Sequence, residues 1–430
     1  MDHLTEFTRT GAGYTYTTKI AGHDIEARIS RVKEQGDRLK AEVAILVDDS
    51  PIARSSPALT SVSGLDSLWR KLARRLPTAD WGIDWEAYIE GLAARTIDSY
   101  RSGEPEMRLK NVRIPEHVQW AVEPMLLADQ PNVLFGPGGS GKSLLSLWLA
   151  TLLDSGHVDS THGLTVHPAP TMILDWETDP IEVASRVRDL RRGMGLDPDD
   201  NGLIYRRCTQ PLAAETDTIR EQMTRHGVRT LIVDSLGLAT GGGLDEAESV
   251  LEYFAALRWL GGTSLTITHT NKENQIFGSV YTLNCGRSIW EIKKSGDEST
   301  GAIDVGLWHR KVNVVARQRE MAYEVRFGDE GTVVTSKNPV ETSITSEEMS
   351  IPAIVRHIVE AQGPIAKNAM AEAVGVYKAQ DADRVRGAVT TAISRLIKDG
   401  RITEVNGQLA IQSRMPEEEK NNGGEEEWTV

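Results

Sequence analysis

The eight residues Gly136-Pro137-Gly138-Gly139-Ser140-Gly141-Lys142-Ser143 constrain what this chain can fold into more than any other feature. Glycine at 136, 138, 139 and 141 frees the backbone to wrap an anion. The apolar run Asn132–Phe135 precedes the loop and the apolar run Leu144–Leu153 follows it. A strand entering and a helix leaving such a loop is the setting a phosphate-binding loop requires, because the loop N–H groups and the helix N-terminus then face the same anion. In that setting Lys142 neutralises the β- and γ-phosphates of ATP and Ser143 ligates Mg²⁺ through its hydroxyl, while Gly136 to Gly141 and Leu144 complete the nucleotide-binding stretch. A glycine-rich turn matching by chance is the competing reading, and the flanking strand and helix disfavour it.

From Asn132 to about Phe327, short apolar runs alternate with segments of helical spacing, and strands are predicted over Asn132–Phe135, Met172–Asp175, Thr230–Asp234 and Ser264–His269. That alternation implies an α/β fold with a parallel sheet and crossover helices. Asp234 ends the second-last of these strands, the place from which a P-loop protein reaches Mg²⁺ through water. An aspartate capping a helix is the ordinary alternative there. Glu177, just beyond Asp175-Trp176, is the candidate for orienting and activating the attacking water, with Asp175 as the alternative acid. His269 ends the fourth strand at the same rim, placed either to sense the γ-phosphate or to serve as an ordinary surface histidine.

At 430 residues the chain is too long for one core, and its patterning divides it into several units. Residues 1–101 form a small α+β unit, in which Ile25, Ala27 and Ile29 alternate with polar neighbours and Leu39, Ala41, Val43 and Ile45 resume the alternation after a turn. Residues 102–328 form the core, entered through a proline-bearing strap, and residues 329–348 have the composition of a linker. In residues 349–412, helices are predicted over Ile351–Ala361, Ala366–Val374 and Asp381–Lys398, followed by a strand-like Arg401–Ile411, which suits a winged helix. The last helix turns Val385, Val389, Ile393 and Leu396 inward and leaves Arg384, Thr391, Arg395 and Lys398 facing DNA phosphates or a protein partner. Residues 413–430 are an acidic tail too polar to fold, suited to solvation, to a protein partner or to competing with DNA for a basic groove.

The net charge of −14 excludes a protein that coats nucleic acid by charge alone. Two cysteines, Cys208 and Cys285, give neither a disulfide framework nor metal-ligand spacing. The start lacks a basic segment followed by an apolar one, and no run reaches the ~18 apolar residues of a membrane span, so a cytoplasmic location is expected.

The order of P-loop, Asp175-Trp176-Glu177, Ile232-Val233-Asp234-Ser235 and Thr268-His269 resembles the RecA-like ATPases of the RepA-type hexameric helicase group, common on phages and plasmids. The likeness extends through Tyr205-Arg206-Arg207-Cys208, Phe277-Gly278-Ser279-Val280 and Leu307–Asn313. It implies a RecA-like P-loop core flanked by the α+β and winged-helix units, ATP and Mg²⁺ as cofactors, and a homo-oligomeric ring, expected to be a hexamer. By this resemblance Lys142, Ser143, Glu177, Asp234 and His269 take the roles argued above. ATP in that group lies between subunits and a basic residue from the neighbour reaches the γ-phosphate; Arg287, Arg310 and Lys311 are the candidates here. The resemblance also implies single-stranded DNA in a central channel, faced by Ala239–Asp245 and by Asn271–Gly286 with Lys272 and Tyr281. The activity expected is that of an ATP-driven replicative or accessory DNA helicase of a mobile element. A non-unwinding loader or remodeller, or a regulatory or defence ATPase, are the alternatives.

Overall fold

The computed structural model describes residues 5–411 except 11–12, 21, 78–80, 104–105, 158–161, 245, 272–275, 277–279, 297–300, 340–341 and 343–348. Strands β1 (Glu6–Thr10), β2 (Gly13–Ile20), β3 (His23–Gln35), β4 (Arg38–Val47) and β5 (Ser50–Ser55) form an antiparallel sheet in sequence order. Its alternating pattern buries one face, Ile25, Ala27, Ile29, Val43 and Ile45, against Leu68 and Leu72 of α1 (Val62–Arg75) and Trp85, Ile89 and Leu92 of α2 (Trp85–Ser102).

A small hairpin, β6 (Trp120–Glu123) and β7 (Leu126–Leu127), leads into β8 (Pro131–Gly136), so the segment expected to be a plain strap ends in paired strands. Helix α3 (Lys142–Ser155) follows, and β9 (Thr165–Val166) pairs with β6. Next come β10 (Thr171–Asp175), α4 (Pro180–Gly193), β11 (Ile204–Arg207), α5 (Leu212–His226), β12 (Thr230–Asp234), α6 (Leu236–Ala239), α7 (Ala247–Leu260), β13 (Thr263–His269) and α8 (Val280–Cys285). The remaining strands of the unit are β14 (Ser288–Ser295), β15 (Ala302–Val312), β16 (Met321–Gly328) and β17 (Gly331–Lys337).

These strands make one nine-stranded sheet in the order β11-β10-β12-β13-β8-β14-β15-β16-β17. From β11 to β14 neighbours run parallel, and from β14 to β17 they run antiparallel. Strands β8, β10 and β12 are apolar almost throughout because helices cover both faces of the sheet, with α3 and α4 on one side and α5 and α7 on the other. Two expectations need correction. The linker placed at 329–348 starts too early, since Gly331–Lys337 is the edge strand of this sheet, hidden in the sequence by its Thr, Ser and Gly content. Four core strands were expected, and β11 and β14 to β17 extend that number.

Beyond the sheet lie α9 (Ile351–Gln362), β18 (Ile365–Ala366), α10 (Met370–Lys378), α11 (Ala382–Lys398), β19 (Ile402–Val405) and β20 (Gln408–Ile411). The helix expected over Ala366–Val374 is displaced toward the C-terminus, because Ile365 and Ala366 pair with Leu409 and Gln408 as a short strand. Val385, Val389, Ile393 and Leu396 are buried, and Arg384, Thr391, Arg395 and Lys398 are exposed. The acidic tail lies outside the described residues. Among the described residues no helix is long and apolar enough to cross a membrane.

Candidate active site

The ends of β8, β10, β12 and β13 share one rim of the sheet. Register ties Asp175 to Asp234 and His269 to Gly136, so parallel pairing alone brings the P-loop, both carboxylate strands and the histidine together. The loop starts at Gly136, where an added Cβ would lie 2.3 Å from the Ile292 carbonyl oxygen of β14 and only hydrogen fits. At Gly139 the backbone takes φ +69°, and nothing lies within 4 Å of where a Cβ would point. That open face, the helix N-terminus at Lys142 and the buried Ser140 hydroxyl, which has no hydrogen-bond partner, make a cradle suited to phosphate oxygens.

Lys142 is buried, and its Nζ donates to the Gly136 and Pro137 carbonyls at 2.9 and 2.7 Å. His269 Nδ1 lies 3.4 Å from the same ammonium. Burial lowers Lys142 to about 8, against the opposing pull of Asp234 and Glu177. Burial also raises Asp234 to about 6, while a hydrogen bond from Ser143 and the charge of Lys142 pull it down and Glu177 and Asp175 push it further up. His269 is lowered by burial and then by Lys142. Ser143 and Asp234 thus present two hard oxygen donors side by side, which fits Mg²⁺ held by protein oxygens together with phosphate and water.

Glu177 and Asp175 are separated by their partners. The Asp175 carboxylate accepts from the Glu177 and Thr178 amides at 2.8 and 3.0 Å, from the Thr178 hydroxyl and from the Tyr205 hydroxyl at 3.1 Å. It is buried and builds the turn. Ladder pairing continues one residue further, with Trp176 N–H donating to the Asp234 carbonyl at 2.9 Å, and this sets Glu177 against β12. Glu177 is exposed and accepts a hydrogen bond from the Ser235 hydroxyl. Ser235, which follows a cis peptide at Asp234, was not singled out from the sequence, although its place directly after the Asp234 strand was the available signal. The buried Thr268 hydroxyl, without a partner among the described residues, is a second polar group at this rim, quoted from the sequence with His269 but given no role there.

Of the three basic candidates, Arg287 and Lys311 lie toward the opposite rim, while Arg310 sits at mid-sheet and reaches Glu291, which is in register with Phe135. Arg287 N–H donates to the Pro131 carbonyl at the start of β8, five residues before Gly136, or roughly 16 Å along the strand. Arg310 Nε donates to the buried Glu291 carboxylate at 2.5 Å, and its guanidinium lies 5.6 Å from the Trp308 ring centre. Lys311 Nζ donates to the carbonyls of Leu283, Asn284 and Gly286, the last at 3.0 Å, and so closes the end of α8. Arg287 alone of the three is exposed with no side-chain hydrogen bond or ion pair among the described residues. Its neighbourhood is fixed by His309, which stacks on Trp290 at 4.2 Å, bonds Ser288 Oγ at 3.0 Å and accepts from Gln318 N–H at 3.0 Å. Burial, then the charge of Arg317, pushes His309 down to about 4.

Of the segments expected to face a channel, residues 245, 272–275 and 277–279 lie outside the described residues. Tyr281 is on α8 and partly exposed.

Residues 104–275 match the AAA domain family. Among solved structures, a KaiC-like protein of the hyperthermophilic archaeon Pyrococcus horikoshii is similar at 16% identity, over 50% of this chain and 93% of that one, with a TM-score of 0.34. No curated protein matches the chain. The stretch that matches the AAA domain carries the P-loop, the helix after it and the strands that end in Asp175, Asp234 and His269.

Proposed function

We propose that this protein is a Mg²⁺-dependent, ring-forming ATPase that moves on single-stranded DNA, with helicase activity, and that each ATP site is completed by Arg287 of a neighbouring copy. The carrying observation is the opposition of the two rims. One gathers Lys142, Ser143, Asp234, Glu177 and His269, and the other presents a guanidinium that is exposed and without a partner among the described residues, too far along the strand to serve its own P-loop.

Bound ATP with Mg²⁺ supplies the transferable γ-phosphoryl group. Lys142 turns from its own loop carbonyls toward the phosphates, Ser143 and Asp234 hold the metal, and Glu177, positioned by Ser235, orients water and takes its proton. His269, next to Lys142, is placed to register the γ-phosphate. Arg287 from the neighbour offsets charge on the transferring group, an effect worth on the order of 10³ in rate. The C-terminal unit has the helix and strand order of a winged helix, and its Arg384, Thr391, Arg395 and Lys398 face supports a contact with DNA phosphates.

The test is ATP turnover with and without single-stranded DNA, alongside strand displacement. DNA-stimulated turnover with unwinding supports the reading. Stimulation without unwinding points to a loader or remodeller, and indifference to DNA points to a regulatory ATPase. Mixing Lys142→Ala with Arg287→Ala chains is expected to restore part of the activity that each lacks, since some interfaces then pair an intact P-loop with an intact arginine.

A further inference from the structure

The segment joining α2 to β6 is unusually apolar for its exposure. Every residue from Glu106 to Gln119 is exposed, yet the stretch carries Met107, Leu109, Val112, Ile114 and Val118. Met107, Leu109 and Ile114 are 70%, 84% and 81% exposed, among the highest values for large apolar side chains in the described residues. Its start is tied down by Arg9, which donates to the Gly103 carbonyl at 3.2 Å, and Arg108 to Val112 form a single tight turn. Scattered exposed apolar residues need no explanation, but a contiguous group marks an interaction site once it reaches on the order of 300–600 Å².

A matching surface lies on α7. Leu251, Ala255 and Trp259 recur every four residues on its exposed side, so they form one stripe, and exposed Glu248 and Glu252 flank its first half. Between Met107 and Ile114 the strap interleaves Arg108, Lys110 and Arg113 with its apolar residues, the complementary sign, and Glu106 and Glu116 flank that stretch. The Arg220 guanidinium lies 4.6 Å from the Trp259 ring centre, whereas Leu251 and Ala255 are exposed, as is the strap, among the described residues. Two different patches of one chain that complement each other make a head-to-tail contact, the type that closes rings.

We infer that the strap of residues 106–118 docks on the Leu251–Ala255 stripe of α7 in a second copy of this chain. The inference rests on the shared-site reading only in taking the partner to be another copy, and it assigns the contact that holds the copies together. Burying the strap fixes the segment entering β6 and β8, and so sets the spacing between one P-loop and the neighbour's Arg287.

Two measurements test it on the full chain. With Ile114→Cys and Leu251→Cys in a Cys285→Ser background, Cys208 being buried, mild oxidation is expected to give chain-to-chain disulfides. A crosslink confined within one chain, or none, overturns the inference. The double variant Leu109→Asp, Ile114→Asp is expected to raise the concentration for assembly at least tenfold by light scattering with an ATP analogue, with circular dichroism unchanged. Leu109→Ser, Ile114→Ser serves if the charged pair does not fold. Undiminished assembly overturns the docking. If the Lys142→Ala and Arg287→Ala mixture is active without strap crosslinks, the docking alone fails. A wild-type chain that stays monomeric with the ATP analogue sinks both readings.

Discussion

At the carboxyl rim of the nine-stranded sheet, Lys142 is buried and Asp234 half-buried, each held away from its ordinary pKa by burial and each within reach of the other's charge. Toward the opposite rim Arg287 is exposed, while Lys311 is occupied with the end of α8 and Arg310, at mid-sheet, with Glu291. One rim keeps charged groups in an electrostatically costly arrangement that a phosphate and a metal relieve. Of the three basic candidates, Arg310 and Lys311 are spent on the fold and Arg287 is left in water. Charge number distinguishes the rims less than whether each charge already has a partner, and on that difference rest the proposed nucleotide site at one rim and the proposed interface at the other.

The largest effect expected at the first rim comes from Lys142→Ala, which should lower ATP turnover by ~10²–10³-fold or more with the fold retained. Glu177→Gln should keep nucleotide binding and lose turnover to a similar degree, because an amide fits the site and takes no proton. Nucleotide binding by fluorescence beside steady-state turnover checks both. Turnover surviving in Glu177→Gln but lost in Asp175→Asn would reverse the assignment of the acid.

At the second rim, Arg287→Ala is expected to lower turnover by ~10²-fold or more while leaving thermal stability unchanged. Lys311→Ala should do the reverse, costing about 1 kcal/mol through the lost carbonyl bonds at the end of α8. Melting curves and turnover for the two variants, compared pairwise, sharpen or erase the distinction between the free and the occupied cation. Asp175→Asn belongs with Lys311→Ala, since it keeps one acceptor but disturbs bonds from two amides and two hydroxyls, at about 1–3 kcal/mol.

The smallest effect is a dependence of stability on pH at the first rim. Asp234 is raised in the folded chain to about 6, so between its ordinary value and that pH the folded state holds a proton the unfolded chain has released, and stability falls as pH rises through this window. Lys142 is lowered to about 8, so from there to its ordinary value the unfolded chain holds the extra proton and stability rises with pH. Asp234→Asn is therefore expected to stabilise the nucleotide-free protein at neutral pH by about 1 kcal/mol, with the gain vanishing in acid, while Mg²⁺-dependent turnover is lost. A destabilised Asp234→Asn protein at neutral pH would show that the Ser143 and Lys142 contacts outweigh burial.

The sequence by itself determined the P-loop, because its glycine spacing and the apolar runs on both sides leave few other structures open. It also determined the ends of two parallel strands, since a strand buried on both faces needs an apolar run that a carboxylate visibly stops at Asp175 and Asp234. Strands β14 to β17 were not legible, because antiparallel strands near a sheet edge carry Lys, Glu, Thr and Ser and resemble linker. Only the tertiary structure separated Glu177 from Asp175, and Arg287 from Arg310 and Lys311. Within each set the residues share a chemical type, and what tells them apart is which side chains and carbonyls from distant segments already satisfy them, a property of packing that no local pattern records.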